Sequence, residues 1–88
     1  MAEVQTDRDT RELCELISYV ATRLVEHTDD VQVEGDRRGQ MVRIRVNVHE
    51  DDMGRIIGRE GRIARSLRTV LMIAASRRGL RSSLDIGP

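Results

Sequence analysis

The chain has 88 residues, 39% of them hydrophobic, with 15 acidic and 15 basic side chains and no net charge. That length fits one small domain with a thin core, and the apolar and charged content favours a folded soluble chain over a disordered one. Tyr19 is the sole aromatic residue, so the core must be aliphatic and a ligand held by ring stacking has no platform.

The neutral total hides a split. Residues 1–54 carry 13 acids and 7 arginines, a net of −6, and residues 55–88 carry 8 arginines and 2 acids, a net of +6. Such a distribution suggests a polyanion that meets one half only, with a dipolar solvated surface as the alternative. Cys14 is the only cysteine. An internal disulfide is excluded, which fits a reducing, cytoplasmic setting. The first residues are acidic and polar, unlike a signal peptide, and no apolar run approaches a membrane span.

Residues 1–10 read as a flexible N-terminus, with Asp9 to Glu12 as a capping box at the first helix. Leu13, Leu16, Ile17, Val20, Ala21, Leu24 and Val25 then recur at helical spacing, predicting an amphipathic helix over about 10–27. Cys14 falls on the edge of that stripe as a small core side chain. Val31 and Val33 alternate with polar neighbours and predict a short strand, followed by a loop over Gly35–Gln40. Val42, Ile44, Val46 and Val48 alternate with Arg43, Arg45 and Asn47, the clearest strand of the chain. The two strands should pair antiparallel, with the second central.

Glu50, Asp51 and Asp52 read as first-turn acids of a short helix over about 51–57, with Glu50 or Asp51 as its cap. A glycine turn at Gly58–Gly61 leads into a longer helix over about 62–78. Ile63, Leu67, Val70, Leu71 and Ala74 share its inner face, and Gly79 closes it. Leu80, Ser82, Leu84 and Ile86 predict a last strand. The fold class is therefore α+β in the order α-β-β-α-α-β, with a three-stranded mixed sheet and helices on one face.

The stretch Arg55-Ile56-Ile57-Gly58-Arg59-Glu60-Gly61-Arg62-Ile63 carries the chemistry. A glycine turn entering a helix exposes backbone N–H groups to an anion. Arg55, Arg59, Arg62 and Arg65 suit a chain of phosphates better than a single anion. A helix–helix turn that needs glycine only for its backbone shape is the structural alternative. Catalysis has little support: His27 and His49 each stand beside acids at chain turns, and no nucleotide-binding P-loop pattern or Cys/His metal cluster is present. No catalytic residue, metal or cofactor is expected.

Ile57-Gly58-Arg59-Glu60-Gly61-Arg62-Ile63 resembles the I-G-x-x-G-x-x-I signature of KH domains, although the final position falls on Ala64, beside Ile63. The element order is similar to the type II, bacterial KH arrangement. Glu26–Val31, Asp52–Gly58 and Gly61–Val70 look like the small stand-alone bacterial KH proteins of the KhpA type. The likeness covers one domain over 11–86, with 87–88 as its end. It implies a non-catalytic protein that holds about four nucleotides of single-stranded RNA, its GXXG loop on the backbone.

By that resemblance Gly58, Arg59, Glu60 and Gly61 form the loop. Arg55, Ile57, Arg62 and Arg65 flank it, and Ile56, Ile57, Ile63 and one face of the strand over 41–48 wall an aliphatic groove. Glu60 departs from what phosphate prefers. The resemblance also implies homodimers or pairing with a larger KH protein of the KhpB (Jag) type. It implies RNA-chaperone activity and links to cell elongation, division and envelope upkeep. A dimerising protein-interaction subunit whose KH partner makes most of the RNA contacts is the alternative.

Overall fold

The computed structural model describes residues 7–88 and, at 59 and 60, the backbone alone. Helix α1 spans Arg8–Thr22, strand β1 Gln32–Arg38, strand β2 Met41–Asn47, helix α2 Glu50–Ser76 and strand β3 Arg81–Gly87. A single 3₁₀ turn, Thr28–Asp30, lies between α1 and β1. β2 is central, antiparallel to β1 and parallel to β3. The mixed sheet and its central strand match the reading from alternation. Among the described residues, no helix is long and apolar enough to cross a membrane.

α1 starts earlier than the capping-box reading placed it. Asp7 is the cap, its carboxylate accepting from the Thr10 N–H at 2.7 Å. The expected flexible stretch 1–10 is thus helical from Arg8 onward, and residues 1–6 lie outside the described residues. Asp7 also accepts from Arg37 of β1 at 3.0 Å, which ties the start of the helix to the sheet. The Thr10 N–H lowers the Asp7 carboxyl most; burial opposes it, and the Thr10 side chain and the Arg37 guanidinium add to the lowering, so the carboxyl lies below its ordinary value.

α1 also ends earlier, at Thr22 rather than near residue 27. The Thr22 hydroxyl donates back to the Ser18 carbonyl at 2.9 Å. Downstream, the Glu26 and His27 N–H groups are drawn away from helical carbonyls by the Asp52 carboxylate, each at 3.1 Å.

β1 is longer than expected because Gly35–Arg38 pairs with β2 instead of looping. Gly35 opposes Ile44, Arg38 opposes Met41, and only Gly39 and Gln40 make the hairpin turn. Gly39 takes φ 59°, where a side chain would be strained. Gly35 serves close approach. A Cβ there would stand 2.5 Å from the Cys14 Sγ and 2.9 Å from the Thr10 Cγ2, so α1 rests directly on the backbone of β1.

The core is aliphatic throughout. Leu13 and Ile17 of α1, Val42, Ile44 and Val46 of β2, Leu67 and Leu71 of α2 and Leu84 of β3 are all buried. Both helices cover one sheet face, α1 over β1 and α2 against β3. On the other face Glu34 opposes Arg45 and Asp36 opposes Arg43 in register, so that surface is charge-balanced.

α2 is one helical run with a kink built in. The two helices expected over 51–57 and 62–78 are its two arms, because Gly61 takes φ 67° in the middle of the run. Gly58, by contrast, is helical, so the turn is concentrated at the second glycine. The cap is His49, not Glu50 or Asp51: its Nδ1 accepts from the Asp51 N–H at 2.9 Å. At the far end Gly79 takes φ 72°. The Leu80 N–H reaches the Ala75 carbonyl and the Gly79 N–H the Ser76 carbonyl, closing α2 with a Schellman motif.

Candidate nucleic-acid interface

The kink in α2 opens a groove of about 420 Å³ lined by Gly54, Arg55, Gly58, Arg62 and Ile63. A second hollow of about 390 Å³ continues along the helix past Arg62, Arg65, Ser66, Thr69 and Val70. Arg62 is shared, so the two form one track of about three arginines beside glycine and aliphatic carbon. This brings together Gly58, Arg55, Arg62 and Arg65 as the sequence suggested.

Other expected wall residues lie elsewhere. Ile56 is buried in the core. Ile57 is half exposed but lies outside the groove lining. The inward face of β2 is covered by the helices, and its outward Arg43 and Arg45 line a separate hollow on the open sheet face. Gly61 supplies the backbone reversal. For Arg59 and Glu60 the side chains lie outside what is described.

Gly54 joins the site without having been singled out from the sequence. It stands one helical turn before Gly58, so the helical period that marks Gly58 also reaches it. A Cβ built at either glycine meets nothing within 4 Å. Neither backbone takes a positive φ. Packing and conformation therefore give no reason for glycine at 54 or 58, while each costs a helix about 0.5–1 kcal/mol relative to alanine. Two such residues along one groove leave the backbone bare toward whatever occupies it.

The groove is braced from behind by Asp52, which is almost fully buried. Its carboxylate accepts from the Glu26 N–H, the His27 N–H and the His27 Nδ1, all at 3.1 Å. Burial disfavours the charged form, but these donors outweigh it and hold the carboxyl below its ordinary value. The first turn of α2 is thereby fastened to the segment after α1. That segment presents Glu26, whose Oε2 lies 3.0 Å from the Arg55 Nη2 at the groove edge.

The two histidines, alone in sequence, stack with ring centroids 4.0 Å apart and planes 14° apart. With Asp51 they place possible ligand atoms within 4.8 Å of one another. The arrangement fits a metal poorly. Near-parallel stacked rings cannot both hold one ion in their planes. The His49 Nδ1 is occupied as an acceptor, which leaves the proton of the neutral ring on Nε2. The Asp52 carboxylate is already taken up by Glu26 and His27.

A family model described as KhpA/KhpB, KH domain, matches residues 14–86. The chain belongs to this KH-domain family. Among its relatives, RNA-binding protein KhpA of Halalkalibacterium halodurans is 44% identical over 71 residues, covering 81% of this chain and 93% of that protein. RNA-binding protein KhpA of Bacillus subtilis is 36% identical over 72 residues, 82% of this chain and 84% of that protein. The Streptomyces coelicolor protein of the same name is 44% identical over 72 residues, 80% and 87%.

A crystal structure of Era in complex with MgGDPNP and nucleotides 1506-1542 of 16S ribosomal RNA shares the fold at a TM-score of 0.55 and 17% identity, covering 99% of this chain and 35% of that one. KH domains are binding modules rather than enzymes, and their GXXG loop clamps a nucleic-acid backbone.

Proposed function

We propose that this chain is a non-catalytic, sequence-tolerant single-stranded RNA-binding protein. The Gly58-Arg59-Glu60-Gly61 loop grips the RNA backbone, Arg55, Arg62 and Arg65 neutralise phosphates, and Ile63 in the groove offers apolar contact to bases, with Ile57 half exposed next to Gly58. The observation that carries this reading is the pair of bare helical positions, Gly54 and Gly58, along a groove edged by arginine. The relatives named RNA-binding protein KhpA support it. In this reading the protein works in the cytoplasm as an RNA chaperone or post-transcriptional regulator, linked to cell elongation, division and envelope upkeep.

The test is fluorescence anisotropy with a labelled single-stranded RNA. Gly58→Asp combined with Arg59→Asp places two carboxylates on the loop, with open space at Gly58 to receive the first. Affinity should fall at least tenfold while the circular dichroism spectrum is kept. It should also fall with added salt as phosphate contacts release counterions. Equal affinity of variant and wild type overturns the reading.

A second reading has its own support. Tyr19, Met72 and Ile73 are all more than half exposed, which suits a protein contact. As a homodimer, or paired with a larger KH protein of the KhpB (Jag) type, the chain would leave most RNA contacts to its partner. Light scattering with RNA titration of the isolated chain separates the two: a monomer that binds RNA well excludes the second.

A further inference from the structure

Arg55 has a resident anion of its own. Its Nη2 donates to the Glu26 Oε2 at 3.0 Å, and Arg55 is also one of the five residues that line the groove. The backbone that carries this carboxylate is held in place. The Glu26 backbone N–H is clamped by the buried Asp52, itself in the first turn of the helix that carries Arg55. The segment is thus fixed at both ends of the contact, although 29 residues separate Glu26 from Arg55 in sequence.

We infer that Glu26 is a built-in competitor for the Arg55 guanidinium, which holds the affinity of this groove for an RNA phosphate below what its arginines would otherwise give. This rests on the RNA-binding reading above and names the residue that tunes it. A phosphate approaching Arg55 must displace a carboxylate already bonded there, and it meets the negative charge of Glu26 at the same edge. Both side chains are exposed, so the contest takes place in water and its effect is modest. An exposed ion pair of this kind is worth up to about fivefold in an equilibrium constant. Relief of the like-charge repulsion adds to that at low salt and fades as salt screens it.

The experiment is a cycle on the full chain, read by anisotropy with a labelled oligouridine at low salt. Glu26→Gln keeps the backbone N–H that Asp52 holds, so the brace survives. It should bind about three- to tenfold more tightly than wild type. In an Arg55→Gln background the same change should gain no more than about twofold, because only the direct repulsion between Glu26 and the phosphate is left to relieve. Asp36→Asn is the matched control. It removes an equal charge from an exposed pair with Arg38 on the hairpin, and should leave affinity within about twofold.

Three results overturn the inference: no gain in Glu26→Gln, a gain undiminished when Arg55 is absent, or an equal gain in Asp36→Asn. If wild type itself fails to bind the oligonucleotide, the RNA-binding reading fails and the inference falls with it. If wild type binds, and Gly58→Asp with Arg59→Asp abolishes binding, a flat Glu26→Gln result sinks the inference alone.

Discussion

Replacing Gly54 and Gly58 by alanine should move stability and binding in opposite directions. Both positions are helical and lie within α2. A Cβ at either meets no neighbour within 4 Å, so the new methyl groups cause no clash. Each exchange then returns the helix-propensity difference, about 0.5–1 kcal/mol, and reduces the freedom of the unfolded chain. The pair should therefore stabilise the fold by about 1–2 kcal/mol. For a domain of this size that is a rise in Tm on the order of 10 °C.

The same methyl groups stand where an RNA backbone would come against the helix. Losing one charge-assisted contact costs about 1.5–3 kcal/mol, roughly tenfold or more in Kd. Differential scanning calorimetry and anisotropy on the same sample check both halves. A variant that melts higher and binds RNA as well as wild type would refute the argument that the groove keeps these positions bare for a ligand. A variant that melts lower would refute the packing argument.

Further expectations follow from the packing and the charges. Gly35→Ala should destabilise by about 1–3 kcal/mol through overpacking against Cys14 and Thr10, seen as a lower urea midpoint, and a midpoint equal to wild type would contradict the close approach of α1 to β1. Asp52 should impose an acid limit on stability. Its folded-state value lies below the ordinary 3.8, so its contribution is fully present above that pH and is lost as pH falls through the depressed value. Asp52→Asn should thus lower Tm near neutral pH and flatten the loss of Tm below pH ~4; parallel Tm curves for the two proteins would contradict this. Burial, with the nearby Glu15 charge adding to it, pushes the Cys14 thiol up, so Cys14 should react with iodoacetamide at neutral pH more slowly than free cysteine, and a rate equal to the free thiol's would contradict that.

Much of the fold was legible because its signals are local. Period-two alternation marked β2 over 41–48, and the 3.6 period marked the inner face of both helices. Glycines at 58 and 61 marked the kink. What escaped depends on residues far apart in sequence. The buried carboxylate of Asp52 reads as one of three first-turn acids until residues 26 and 27 are brought beside it.

Gly35–Arg38 has the composition of a loop, yet pairing with a strong neighbour strand overrides it. Gly35 reads as a turn glycine and is in fact a contact glycine. His27 and His49, 22 positions apart in the chain, become a stacked pair only through the fold. In the groove, the arginines and Gly58 were visible in one stretch. Gly54 lies one helical turn before Gly58 but outside the G-x-x-G spacing, so only the helical period points to it. Glu26 carries no local signal at all.

Backbone amide chemical-shift mapping of the labelled protein titrated with single-stranded RNA locates the RNA on the fold. Shifts should concentrate at Gly54, Arg55, Gly58, Gly61, Arg62 and Ile63 and continue to Arg65 and Thr69 along the same helix. Shifts confined to the open sheet face, at Glu34, Arg43, Arg45 and Asp85, with the α2 groove unmoved, would contradict that placement.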